Sequence, residues 1–314
     1  MPLSSTETYA TELISTEIRA QGPDGDLVGT LVSPPDSIAV VLIIPGSGPT
    51  DRDGNNPLGV KAQTYKLLAE GLAQKGIASV RIDKRGTFSS SQAISDANAV
   101  TIEDYVEDTL NWVNVIQQRM ETKGVWLMGH SEGGLIALAT ATKKVAHPHV
   151  CGIILIATPG CPAGQVLKKQ IEANPANLAI LTSAIDAINA MEVGRHIPLD
   201  ALPLPLKTLF RPNVQGFLIS LFSINPAELI EKIEIPILIV QGARDLQVDL
   251  LDAEQLQQHQ PLAELAVFPD ANHLMKHVAT TEREENIATY FNPDLPLVQH
   301  LVETIAEFVA RKNV

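Results

Sequence analysis

The chain has 314 residues, of which 45% are apolar and 4% aromatic, with a formal net charge of -13 and two cysteines. That acidic excess, with no cluster of lysine and arginine, excludes a phosphate-binding surface for nucleic acid. No apolar run approaches the roughly 18 residues that cross a bilayer as a helix, so no membrane span is expected, while the length suffices to bury a large core.

In chain order, Met1 to Tyr9 is polar and lacks the charged start and apolar stretch of a signal peptide, which makes the cytoplasm the expected compartment. Thr11 to Ala20 and Leu27 to Val32 alternate as strands around the turn Gly22-Pro23-Asp24-Gly25, predicting an antiparallel hairpin. Ile38 to Ile44 is a continuous apolar strand followed by the small residues Pro45-Gly46-Ser47-Gly48-Pro49. Helices follow at Ala62 to Gln74 and Thr101 to Met120, the second with Thr101 and Asp104 as capping residues and an apolar stripe of Val106, Leu110, Val113 and Ile116. Cys151 and Cys161 flank the strand Gly152 to Ala157, whose extended length keeps them too far apart to bridge, so they read as reduced core residues. Further strands fall at Ile235 to Val240 and Ala263 to Phe268. This alternation predicts an α/β fold with a mostly parallel central sheet covered by helices on both faces, whose active site lies beyond the carboxyl ends of the strands.

Val125 to Gly134 carries the chemistry. A short apolar strand stops at Ser131 and a small-residue helix begins, within the only Gly-x-Ser-x-Gly of the chain, Gly129 to Gly133. A serine on such a turn has its hydroxyl pushed out of the sheet, with the first helix amides directed toward it. Serine needs a base to take its proton and a third group to orient that base, and after such an elbow the order is acid, then histidine. Asp245, just past one strand, is the expected acid, and His273, on the loop after the next, the expected base. Asp249 and Asp252 fall in the following helix, and Asp270 sits too close to His273 to reach around its ring. The expected oxyanion donors are the backbone amides of Glu132 and Ser47, the Glu132 carboxylate being available to cap its helix. His130 reads as packing beneath the elbow.

No cofactor or metal is expected. Gly46-Ser47-Gly48 fails as a dinucleotide fingerprint because Asp51 stands where the third glycine belongs. Asp51 to Asn55 fails as a calcium loop because Asn56 and Ala62 replace the required glycine and bidentate carboxylate. His273 and His277 share helical spacing, but Leu274 replaces the glutamate of the zinc-protease helix.

These blocks resemble the α/β-hydrolase superfamily, and in particular bacterial serine esterases and lipases whose oxyanion loop reads Gly-Ser-Gly-Pro-x-Asp-Arg-Asp-Gly-Asn, here Gly46 to Asn55. Arg81 to Gly86 resembles a second shared turn, Asp-x-Arg-Gly-x-Gly-x-Ser, and Gly129 to Gly134 with the Asp245 and His273 segments complete the likeness. Pro45 stands where many relatives have histidine, and Phe88 where the second glycine of the Arg-Gly turn is usual. The resemblance implies a carboxylesterase acting through an acyl-enzyme on a small-molecule ester, with a homodimer as one possible assembly. The alternatives are the same triad acting on amide, peptide or thioester bonds, and a non-catalytic binding protein of this fold.

The stretch from Cys161 to Lys232 interrupts the alternation with amphipathic segments at Gln165 to Ala173, Asn177 to Met191 and Val214 to Phe222, and a proline-rich span from Pro198 to Pro212. It reads as a helical cap, residues 161–232, inserted between core segments 1–160 and 233–314. Phe210, Phe217 and Phe222 in the cap, and Phe88 at the rim, are the candidate acyl-pocket residues, with ordinary packing as the competing assignment.

Overall fold

The computed structural model of the chain describes residues 13–122, 124–143 and 148–313. Strands β1 (Ile14–Gln21) and β2 (Asp26–Ser33) form the expected hairpin, closed by a Gly22 amide bond to the Gly25 carbonyl at 2.9 Å. Thr11 and Glu12, where the sequence reading began the first strand, lie outside the described residues, as does Met1 to Tyr9. The alternation then runs β3 (Ala39–Ile44), α1 (Thr64–Gln74), β4 (Ile77–Ile82), α2 (Ile102–Met120), β5 (Val125–His130), α3 (Glu132–Ala141) and β6 (Val150–Ile156). Five helices follow, α4 (Ala163–Glu172), α5 (Leu181–Glu192), α6 (Leu204–Leu209), α7 (Pro212–Phe222) and α8 (Pro226–Ile230). The chain closes with β7 (Ile237–Gly242), α9 (Leu250–His259), β8 (Glu264–Phe268), α10 (Arg283–Ala288) and α11 (Leu301–Lys312).

One eight-stranded sheet results, in the order β1-β2-β4-β3-β5-β6-β7-β8, antiparallel at β1/β2 and β2/β4 and parallel elsewhere. Every residue of β3, β4, β5 and β7 is buried, because helices cover both faces of the parallel strands and leave no side for water. Two apolar cores form. One holds Leu42, Trp112, Leu127 and Ile136, and the other Ile43, Leu68, Trp126 and Phe308 on the opposite face.

Local chemistry sets the ends of the elements. Thr101 and Asp104 close the two reciprocal bonds of a capping box at α2, while Gln63 in left-handed backbone starts α1 two residues later than its apolar pattern does. Helices α4 to α8 stand between β6 and β7, where a single α-helix joins β3 to β4, β5 to β6 and β7 to β8. Cys151 and Cys161 are both unbridged. Among the described residues no helix is long and apolar enough to cross a membrane.

Candidate active site

Ser131 sits between β5 and α3 with φ 55° and ψ -119°, a conformation that a non-glycine residue adopts only where its surroundings enforce it. The enforcement is visible. The Ser131 amide donates to the Ile156 carbonyl at 2.8 Å, and the Gly134 amide donates to the Ser131 carbonyl at 2.9 Å. The flanking glycines permit the crossing, since a Cβ on Gly129 would fall on the Gly133 carbonyl and one on Gly133 on the Ile44 carbonyl. The β3 end, the β5 end and the start of α3 therefore touch through backbone alone.

Asp245 follows β7 and is fixed before it meets its partner. Its Oδ1 accepts from the amides of Gln247 (2.7 Å) and Val248 (3.1 Å), leaving Oδ2 to accept from His273 Nδ1 at 2.7 Å. With Nδ1 donating, the neutral ring presents an unprotonated Nε2. The His273 loop is tied down by Asn272, whose Oδ1 accepts from the amides of Leu274 and Lys276. Ser131 and His273 line one cavity of about 170 Å³, together with Ser47, Thr50, Asn56, Gln247 and Tyr290. No hydrogen bond joins Ser131 to His273 among the described residues. Asp249 caps α9, Asp252 accepts from the Gly160 amide, and Asp270 pairs with Arg244, so none of them competes for His273.

Ser47 follows Gly46, whose own Cβ would lie 3.5 Å from the Ser131 Cβ, so the loop after β3 passes beside the serine. Neither the Ser47 amide nor the Glu132 amide donates to another group among the described residues. The loop is braced from behind. Asp51 Oδ1 accepts from the amides of Asp53 and Asn55, Arg52 pairs with Asp83 at 2.7 Å, and Arg81 pairs with Asp53. These bonds engage the polar side chains of Asp51, Arg52 and Asp53.

Sequence reading missed two features. His130 is not simple packing, because its Nε2 faces the His273 carbonyl at 2.8 Å and must therefore donate, while Nδ1 accepts from the Tyr65 hydroxyl at 2.9 Å. The Tyr65 oxygen in turn accepts from the Gly46 amide at 2.9 Å, so one buried chain of bonds links the loop after β3, the elbow and the His273 loop. Burial, reinforced by the neighbouring His273, drives the His130 pKa down to about 3, and burial raises that of Tyr65. The second feature is Lys84, whose Nζ meets Glu132 Oε1 at 3.1 Å, so the Glu132 carboxylate is drawn into an ion pair and does not cap α3. Position beside the elbow pointed to His130. Only the Arg81 to Gly86 block pointed to Lys84.

The four phenylalanines require correction. Phe210 and Phe222 are buried in the same apolar core as Leu42 and Trp112, Phe217 packs edge-on against Tyr105, and Phe88 is 40% exposed in left-handed backbone. None lines the cavity at Ser131, because the stripe that carries three of them is consumed in packing the helices.

Residues 58–202 match the family model described as serine aminopeptidase, S33. The esterase EstD of Thermotoga maritima is 30% identical over 247 residues, which cover 75% of this chain and 54% of that protein, so the chain spans about half the length of this curated relative. Among solved structures, the Pyrococcus furiosus esterase Pf2001 superposes with a TM-score of 0.59 at 15% identity, covering 95% of this chain and 93% of that one. The proline iminopeptidase of Mycobacterium smegmatis gives a TM-score of 0.59 at 12% identity over 95% and 99% of the two chains. At those identities the structural likeness speaks for the fold.

Proposed function

We propose that the chain is a serine carboxylesterase of the α/β-hydrolase superfamily. The observation that carries this reading is the buried Asp245–His273 bond of 2.7 Å at the edge of the cavity that Ser131 lines, with the Ser47 and Glu132 amides left unpaired beside it among the described residues. In this mechanism His273 Nε2 takes the hydroxyl proton as Ser131 Oγ attacks the ester carbonyl. Asp245 holds the ring in that tautomer and supports its positive charge. The two amides receive the developing oxyanion, each contributing on the order of 3 kcal/mol to the transition state. His273 then protonates the departing alcohol, and water repeats the sequence on the acyl-enzyme.

The same machinery cuts amides, and the family model takes its description from aminopeptidases. An aminopeptidase must hold a substrate ammonium, which calls for a carboxylate at the cavity wall. Among the described residues the wall offers Thr50, Asn56, Gln247 and Tyr290 and no carboxylate, which favours a neutral, polar ester of modest size. EstD and Pf2001, both named esterases, are consistent with this choice. Within this reading residues 161–232 act as the cap of a core formed by 1–160 and 233–314. The compartment is the cytoplasm, where the unbridged Cys151 and Cys161 stay reduced, burial pushing their pKa values up to about 12.

The test is hydrolysis of nitrophenyl esters from acetate to laurate by the wild type and by Ser131→Ala. We expect turnover by the wild type, strongest on short acyl chains, and a loss of about 10⁴-fold or more in the variant. Equal rates in the two proteins, or none in either, defeat the proposal.

A further inference from the structure

We propose that Lys84 is a positioning residue for the oxyanion hole, one ammonium group fixing both amides that form it and strengthening the first as a donor. This rests on the reading of Ser131 as nucleophile. Lys84 lies just past the end of β4, and its side chain is buried, 4% exposed. Its Nζ donates to the Gly46 carbonyl at 2.8 Å and to Glu132 Oε1 at 3.1 Å. Both acceptors have a particular relation to the site. The Gly46 carbonyl belongs to the same peptide unit as the Ser47 N–H, and Glu132 carries the second donor N–H on its own backbone.

Two consequences follow from that geometry. The first is preorganisation: the loop after β3 and the first residue of α3 come from distant parts of the chain, and the ammonium pins one to the other before any charge develops. The second is polarisation. A peptide whose oxygen accepts from a cation has a more positive N–H, so hydrogen bonds in series strengthen one another in a low-dielectric setting. The Ser47 amide thereby becomes the better donor.

Stability alone does not account for the pair. Burying two opposite charges is costly, and apolar residues of the same volume are often as good or better for the fold. The Tyr105 ring centroid lies 5.3 Å from Nζ, and Glu132 Oε2 has no hydrogen-bond partner among the described residues. A half-satisfied ion pair persists here at the one place where it touches both donors of the hole.

The experiment compares the wild type with Lys84→Met and with the double variant Lys84→Met/Glu132→Gln, which leaves no buried charge unpaired and keeps the test alive if the single variant does not fold. For each, kcat and KM are measured on nitrophenyl butyrate, together with the Ki of a trifluoromethyl ketone, which adds Ser131 to its carbonyl and places an oxyanion in the hole, and the melting temperature. We expect kcat to fall about 10- to 100-fold, less than the loss of a whole donor, with KM within about twofold and Ki weakened by the same factor as kcat. The double variant should show this even where its melting temperature matches the wild type. A folded double variant with wild-type kcat and Ki overturns the inference, as does a rise in KM with kcat preserved. Failure of the underlying reading looks different, because hydrolysis then survives Ser131→Ala.

Discussion

The carboxyl ends of the strands and the helical stretch α4 to α8 bury residues for opposite reasons. At the strand ends the buried side chains are polar, among them Asp83, Lys84, His130, Glu132, Asp245 and His273, and each bonds to a partner across the sheet edge. In the helical stretch they are apolar, such as Ala184, Ile188, Met191, Leu206, Phe210 and Phe222. The buried polar side chain described there, Gln215, is absorbed by the backbone of Ile197 and Phe210. Polar burial is costly unless matched, so its concentration at one edge marks where geometry is controlled. Apolar burial marks only where the chain holds itself together. The two regions should therefore fail in different ways when altered, one in rate and the other in stability.

The largest separation is expected from Asp245→Asn. An amide next to Nδ1 favours the tautomer with its proton on Nε2, where it can no longer accept from Ser131, so kcat should fall by about 10⁴-fold, equivalent to about 5.5 kcal/mol of barrier. The substituted side chain keeps an oxygen to accept from the Gln247 and Val248 amides, so the melting temperature should move by only a few degrees, as calorimetry beside ester kinetics would reveal. Phe210→Ala probes the other side. Truncating a fully buried phenylalanine should cost about 3–5 kcal/mol in urea unfolding, while kcat/KM on nitrophenyl acetate well below the transition stays within about twofold of wild type. A collapse in kcat/KM without a loss of stability would break the distinction and return Phe210 to the substrate.

The strand ends were also the legible part of the sequence. Turn chemistry and small residues fix local backbone, so Gly129 to Gly133 announced the elbow, and the order of strands placed Asp245 and His273 at the same edge. The Asp245–His273 contact was predicted in kind from that order alone. Bonds between segments far apart in sequence were not legible. Nothing local to Tyr65 says that it will meet His130, and Lys84 shows its role only once the end of β4 lies beside the start of α3. The phenylalanines misled for a related reason: an apolar stripe records that a face is buried and is silent on what buries it. The loop that carries Gly46 and Ser47 passes beside Ser131, because the loop after a buried parallel strand has one edge to go to.

His130 offers the finest test of the strand-end network, through acid rather than through rate. Its pKa is about 3 in the folded chain, against an ordinary 6.5, because burial and the adjacent His273 disfavour the charged ring. Between those values the unfolded chain binds a proton that the native state refuses, so acid favours unfolding. The stabilisation relative to a protonating histidine is fully present above about pH 6.5 and declines as pH falls toward 3, by about 1.4 kcal/mol per pH unit. Carboxylates add slopes of their own in this range, so the informative quantity is the difference from His130→Gln. Glutamine supplies an N–H for the His273 carbonyl and an oxygen for the Tyr65 hydroxyl without a titratable site. Urea midpoints between pH 6 and pH 4 should then fall less steeply in the variant, by about one proton's worth of slope, while at pH 7 the variant is the less stable of the two. Superimposed slopes would mean that protonation at position 130 is tolerated in the folded state, and the chain of bonds from Gly46 through Tyr65 to the His273 loop would have to open and close freely. Slopes differing by one proton would make that chain a rigid frame, in keeping with a site whose donors are set before substrate arrives.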